Sequence, residues 1–171
     1  MNGLMVVLRL VHIVSGGLWV GMMAFTVVFL TPALRDVGPD GAKVMAALQR
    51  RHVMVVVPIL ALATLISGMW LFSRLSGGAP LVALNSAVGL AFALGGAASL
   101  VAFLLGIALM RPAMVRAAAL AETLGSAKNE QERAARTAEI QRLRGRAASI
   151  GVVVAVLLVF ALGAMAVARY L

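Results

Sequence analysis

The side chains able to hold a proton, an anion or a metal inside the apolar stretches of this 171-residue chain are few. They are Arg9, His12, Ser15, Ser67, Asn85, Ser86 and Ser99, with His52 at the edge of one stretch. Ionisable groups are costly in lipid, so each of them is a functional candidate by default. Arg9, His12, Gly16, Trp19 and Met23 follow three- and four-residue steps, which on a helix form a single stripe. His12 on that stripe has two uses. It can be a metal or haem ligand, with Arg9 snorkelling toward the surface to meet an anionic group such as a haem propionate. Alternatively, it hydrogen-bonds to Ser67 or Asn85 and only locks one helix against another.

Methionine adds a second clue. With the second helix leaving the membrane near Arg74 and the fourth near Arg169, Met69 and Met165 lie roughly 6–8 Å below the surface. His12 is ~12 Å in from Leu4 by the same arithmetic. One imidazole and two thioethers at similar depth suit Cu(I). The chain has ten methionines, however, and methionine is also a common apolar filler. His52 does not share a metal with His12, because the two are ~20 Å apart across a ~30 Å hydrocarbon core. It reads as interfacial, and Trp70 and Tyr170 read as outer-belt anchors.

What is missing also narrows the chemistry. The apolar cores contain no Asp, Glu or Lys, which argues against a carboxylate proton relay, an acidic cation ring or a lysine Schiff base. The absence of cysteine excludes disulfides, thiolate metal sites and cysteine nucleophiles. The reading leans away from an enzyme.

The elements that must position these residues are four apolar runs, in a chain of mean hydropathy +1.04. Spans are expected at about 4–30, 53–73, 81–110 and 148–168, each close to the roughly 20 residues that cross a bilayer as a helix. The runs lack the period-2 alternation of barrel strands. The expected fold is therefore all-α: one domain, 1–171, an antiparallel four-helix transmembrane bundle. The first run is too long, and its basic n-region too weak, for a cleaved secretory signal. Twelve of the fifteen basic residues fall in the connections after the first and third spans. By the positive-inside rule those connections are cytoplasmic and both termini lie outside. This placement accounts for the net charge of +9 without nucleic acid. The Ala- and Arg-rich, Lys-poor composition suggests a bacterial inner membrane.

The first helix is expected to end near Thr31-Pro32, with Asp40 capping a second helix that starts before the membrane and continues past Val53. Pro58 marks a kink. The glycines, including Gly17-x-x-x-Gly21 and Gly95-Gly96, read as close helix contacts and not as a phosphate loop. Residues 111–147 read as a cytoplasmic helical hairpin, with Ser126 capping its return arm. Its charges form either a solvated face or a docking surface for anionic lipid or a partner subunit.

The run Leu8-Arg9-Leu10-Val11-His12-Ile13-Val14-Ser15-Gly16-Gly17-Leu18-Trp19-Val20-Gly21 resembles the first-helix pattern of the copper-resistance protein D (CopD) and HemJ-like membrane families. In that pattern a histidine precedes a Trp-x-Gly segment by seven positions. Weaker likeness continues through Thr31-Pro32-Ala33-Leu34 and Ser67-Gly68-Met69-Trp70. The resemblance implies that His12 is the functional histidine, with Trp19 and Gly21 shaping its helix contact. It also implies a link to haem and protoporphyrinogen oxidation, or to copper movement across the inner membrane. The chain carries neither an intramembrane lysine as a second haem ligand nor a dense Met/His array.

The leading expectation is a small CopD-like inner-membrane protein that binds copper or haem b in its outer half. His12 is the main ligand, Arg9 an anion partner, and Met69 or Met165 a second metal ligand. The alternative is a non-catalytic accessory or assembly subunit that packs against a membrane protein partner or a second copy. Single cysteines at Ser76 and Ser126, on a cysteine-free background, should label from opposite sides of the membrane. Labelling from one side would overturn the expected topology.

Overall fold

The computed structural model describes residues 3–171, with Pro39 by its backbone alone, and the described residues contain no strand. Four helices are long and apolar enough to cross a membrane: Gly3–Asp36, Val53–Leu75, Ala87–Glu122 and Glu130–Tyr170. Large apolar side chains such as Leu10, Ile13, Leu100 and Val156 are exposed along them, as lipid-facing residues would be.

Two of these helices run past a proline, the first of them past Pro32, where it was expected to end. Helix α1 (Gly3–Phe25) passes through a π-helical turn, Thr26–Leu30, into α2 (Thr31–Asp36). Pro32 has no N–H, and its ring crowds the carbonyl four residues back. The wider turn, in which the Thr31 N–H reaches Thr26 O, takes up that misfit. The third long helix repeats the device. Helix α6 (Ala87–Leu105) widens at Gly106–Met110, where the Arg111 N–H reaches Gly106 O, just before Pro112 in α7 (Arg111–Glu122).

Several boundaries differ from the sequence reading. Asp40 precedes α3 (Gly41–Arg50) but does not cap it, because its carboxylate pairs with Lys43 at 2.6 Å. Helix α3 is not continuous with α4 (Val53–Leu75): His52 adopts φ 59° and breaks the chain between them. Pro80–Ala83 form only a short helix, α5, so the third long helix starts at Ala87, with Ser86 Oγ accepting from the Gly89 N–H at 3.0 Å. Asn85 lies in the turn before that helix, outside the span expected to contain it. Helix α8 (Glu130–Val167) joins the return arm of the hairpin and the fourth span in one 38-residue helix. Its cap is Asn129, which accepts from the Glu132 N–H at 2.8 Å, while Glu132 accepts from the Lys128 N–H at 2.9 Å. Ser126 is spent instead on Thr123 O.

Helix α1 packs on α4, and α6 on α8, with smaller α4–α6 and α1–α8 contacts closing the bundle. The core is Trp19, Met23, Ala61, Ala102, Val154 and Leu158. A second cluster, Ala113, Ala117, Ile140, Leu143 and Ala147, holds α7 against the first half of α8. Alanine and glycine permit this close approach. A methyl at Gly16 would press on Thr64, and one at Gly95 would lie 3.1 Å from both Ala161 O and the Met165 side chain. The expectation that the span glycines are helix contacts fails at Gly17, Gly21, Gly96 and Gly106, where an added methyl would meet no neighbouring atom within 4 Å.

Beyond the apolar core, Glu132 pairs with Arg136 at 2.6 Å, Glu139 with Arg142 at 2.7 Å, and Arg116 on α7 reaches Glu139 on α8 at 3.9 Å. The Lys128 N–H, helped by Arg136, holds Glu132 below the ordinary carboxylate range, and Arg142 does the same for Glu139. A depressed carboxylate contributes stability above its unfolded value, about 4.3, and loses it as pH falls through the lower folded value. Amide exchange in residues 123–142, corrected for intrinsic rates, should therefore be faster at about pH 3 than at pH 7. The same change should leave protection of the apolar halves of α6 and α8 intact. Equal protection at both pH values would rule out these carboxylates as a source of hairpin stability.

Candidate functional site

The stripe expected on the first helix turns toward α4. Trp19 and Met23 are buried in the core, Ser15 is buried, His12 and Gly16 are half-buried, and Arg9 is exposed. Opposite them α4 presents Thr64, Ser67 and Gly68 at the same three- and four-residue spacing.

His12 lies across the backbone of α4 at this point. Its Nδ1 is 2.9 Å from Thr64 O and 3.3 Å from Ser67 Oγ. A carbonyl can only accept, so Nδ1 carries the proton and donates it. Ser67 Oγ spends its own proton on Ala63 O at 2.6 Å, which leaves its lone pairs facing the imidazole. In the neutral ring Nε2 is then an unprotonated donor atom. Among the described residues it has no hydrogen-bond partner, and no buried side-chain nitrogen or oxygen lacks one, so Nε2 is at an accessible edge.

Gly68 makes this placement possible. A methyl group there would lie 2.7 Å from His12 Cε1 and 3.1 Å from Nδ1. Below the ring, Thr64 Oγ1 sits 2.7 Å from Leu60 O and 2.9 Å from Ser15 Oγ, and Ser15 Oγ sits 2.6 Å from Val11 O. The polar groups between the two helices thus satisfy one another in a short ladder.

Of the residues expected to form a site, His12 joins Ser67 as one of its anticipated partners, and Asn85 takes no part. Arg9 is one helical turn from His12 on the same helix and carries no ion pair among the described residues. Met69 points away from the bundle, 72% exposed, although its neighbour Gly68 touches His12. Met165 packs on Gly95 between α6 and α8, not between α1 and α4. The two thioethers and the imidazole therefore do not occupy one interface. Trp19 is 3% exposed and belongs to the core, while Gly21 faces outward. His52 is exposed at the break between α3 and α4. No group of three or more His, Asp or Glu residues that would hold a metal occurs among the described residues. Thr64, whose carbonyl fixes the imidazole, is the residue the sequence reading missed. Its step of three before Ser67 and four before Gly68 was the available signal.

Comparison with family models, curated proteins and solved structures gives no match to this chain.

Gly68→Ala should expel the imidazole, since the obstructing atom is a side chain and yields before two helices separate. The lost hydrogen bond should cost about 1 kcal/mol. Nitrogen chemical shifts of the labelled His12 ring should then move from a single Nδ1–H tautomer to a mixture. An unchanged tautomer in Gly68→Ala would contradict this geometry.

Proposed function

We propose that this chain is a small multi-pass protein of the bacterial inner membrane, in which His12 Nε2 would ligate the iron of a haem b. The observation that carries the reading is the donation from His12 Nδ1 to Thr64 O. A ligating histidine commonly gives its second N–H to a carbonyl, which fixes the tautomer and the ring orientation and leaves the other nitrogen for the metal. Haem suits this single donor better than copper does. A porphyrin brings four iron ligands of its own, whereas Cu(I) needs further soft side chains, and Met69 and Met165 do not converge on His12. When bound, haem supplies one-electron chemistry. The chain's own residues hold the imidazole through Thr64 and Ser67, and Arg9 offers a cation one turn away for a propionate. The first-helix likeness to the CopD and HemJ-like families supports the same role for His12.

This reading takes the bundle as antiparallel, with both termini outside and the α7–α8 hairpin in the cytoplasm. Contacts between Gly95 and Ala161, Gly151 and Met110, and Arg136 and Thr123 support it, because positions rise on one helix as they fall on the other. The basic residues around the hairpin support the orientation.

A second reading, an accessory subunit that docks on a membrane partner or a second copy, is favoured by Gly17 and Gly21. Their outward position leaves a small-residue surface on α1 that the chain itself does not cover.

Purified protein should show a Soret band as isolated or after haem addition. His12→Ala should abolish it, and Ser67→Ala should retain it. Failure to take up haem would end the first reading. Under the second, mild-detergent purification should recover a stoichiometric complex or dimer that Gly17→Leu weakens at least tenfold and His12→Ala leaves intact. A monomer indifferent to Gly17→Leu would end that reading.

A further inference from the structure

An apolar cavity that the His12 site does not use lies at the other end of the bundle from the His12 ladder. This cavity of about 150 Å³ opens among α1, α3, α4 and α6. It is walled by residues that neither the imidazole site nor the small-residue surface uses. Its floor is buried: Trp19, Met23, Ala61, Ala102 and Val154. Its upper wall is half-buried, and its rim includes the exposed Arg111. Thr26 and Gln49 are the other polar lining residues, and the Thr26 hydroxyl is already committed to Met22 O at 2.7 Å.

Three independent features build this space. Both π-helical turns contribute wall residues, Thr26 and Leu30 from one, Gly106 and Met110 from the other, and such turns are frequent at functional sites. Pro58 lies in the wall of α4, where it deprives the Met54 carbonyl of its helical donor. Five methionines, Met23, Met45, Met54, Met110 and Met114, line the cavity, and their flexible thioethers adapt to an apolar guest of variable shape. An apolar cavity of comparable size stays dry and accepts a benzene-sized apolar group. Arg111 has no ion pair among the described residues, so its charge is available at the rim.

We infer that this cavity is a lipid site: it takes part of an acyl chain of an anionic phospholipid, whose headgroup phosphate is held by Arg111. The apolar floor selects the chain and the single rim cation selects the charge. The inference does not depend on His12 or on haem.

Trp19 in the floor provides the readout, and Trp70→Phe removes the only other tryptophan. The Trp70→Phe protein is reconstituted in phosphatidylcholine vesicles containing a small fraction of brominated-acyl phosphatidylglycerol or brominated-acyl phosphatidylcholine. The anionic lipid should quench Trp19 at about fivefold lower mole fraction than the zwitterionic one, the preference expected of one cation near the membrane surface. Gly106→Leu should suppress quenching by both lipids. Open space surrounds Gly106, so the added side chain fills the cavity without breaking the helix packing. Arg111→Gln should keep the quenching but make the two lipids equivalent, and Arg111→Lys should restore most of the preference. Equal quenching by both lipids in the parent protein would overturn the proposal. So would quenching untouched by Gly106→Leu, with circular dichroism showing that variant folded. Preferential displacement by a free fatty acid over phosphatidylglycerol would overturn it as well, by assigning the rim to a carboxylate.

Discussion

In a hydrocarbon medium a backbone N–H or C=O has no water to turn to, and this chain places three prolines in long helices where each one removes a donor. Pro32 and Pro112 are accommodated by widening the helix ahead of them to an i→i+5 turn, so that the helix continues where a soluble protein would often end it. The same obligation governs the imidazole. Thr64 O belongs to the helical ladder and has a second lone pair, and His12 donates to it from the neighbouring helix. The cavity and the candidate ligand site are thus two outcomes of one rule, widening at one end of the bundle and added donation at the other.

Close packing follows from this arrangement. Dispersion between helices replaces the hydrophobic drive that lipid cannot supply, and it requires small residues at the contacts. The core accordingly contains Ala61, Ala98, Ala102, Ala155 and Ala161 with a few large side chains between them. Gly68 is the extreme case, because it yields space not to a helix but to an aromatic ring.

The number and approximate placement of the four long helices were legible in the sequence, because runs of apolar residues of spanning length have few alternatives. The stripe through His12 was legible for a similar reason: steps of three and four residues admit one face. What escaped was decided by competition between local signals. Asp40 looks like a cap, but Lys43 is within reach and takes its carboxylate. Ser126 looks like a cap, but Asn129 accepts from the Glu132 N–H while Glu132 accepts from the Lys128 N–H, two donors that a lone serine cannot both satisfy. Pro32 reads as a stop signal, and a stop and a π turn have the same sequence signature. Met69 and His12 were matched by depth alone, and depth carries no rotation: one residue past Gly68 the helix has already turned the side chain out of the interface.

Helix α8 differs from its neighbours in one respect that bears on the mechanics of the whole molecule. It runs 38 residues, ~57 Å at 1.5 Å per residue, without a proline or a π turn, while α1 and α6 are each followed by a widened turn within one continuous helix. The bundle therefore combines one stiff strut with two compliant ones. A load applied to the charged end of α8 tilts the whole rod, and its far end, where Met165 bears on Gly95, moves through the same angle in the opposite direction. The two widened turns are where the rest of the bundle can bend to follow.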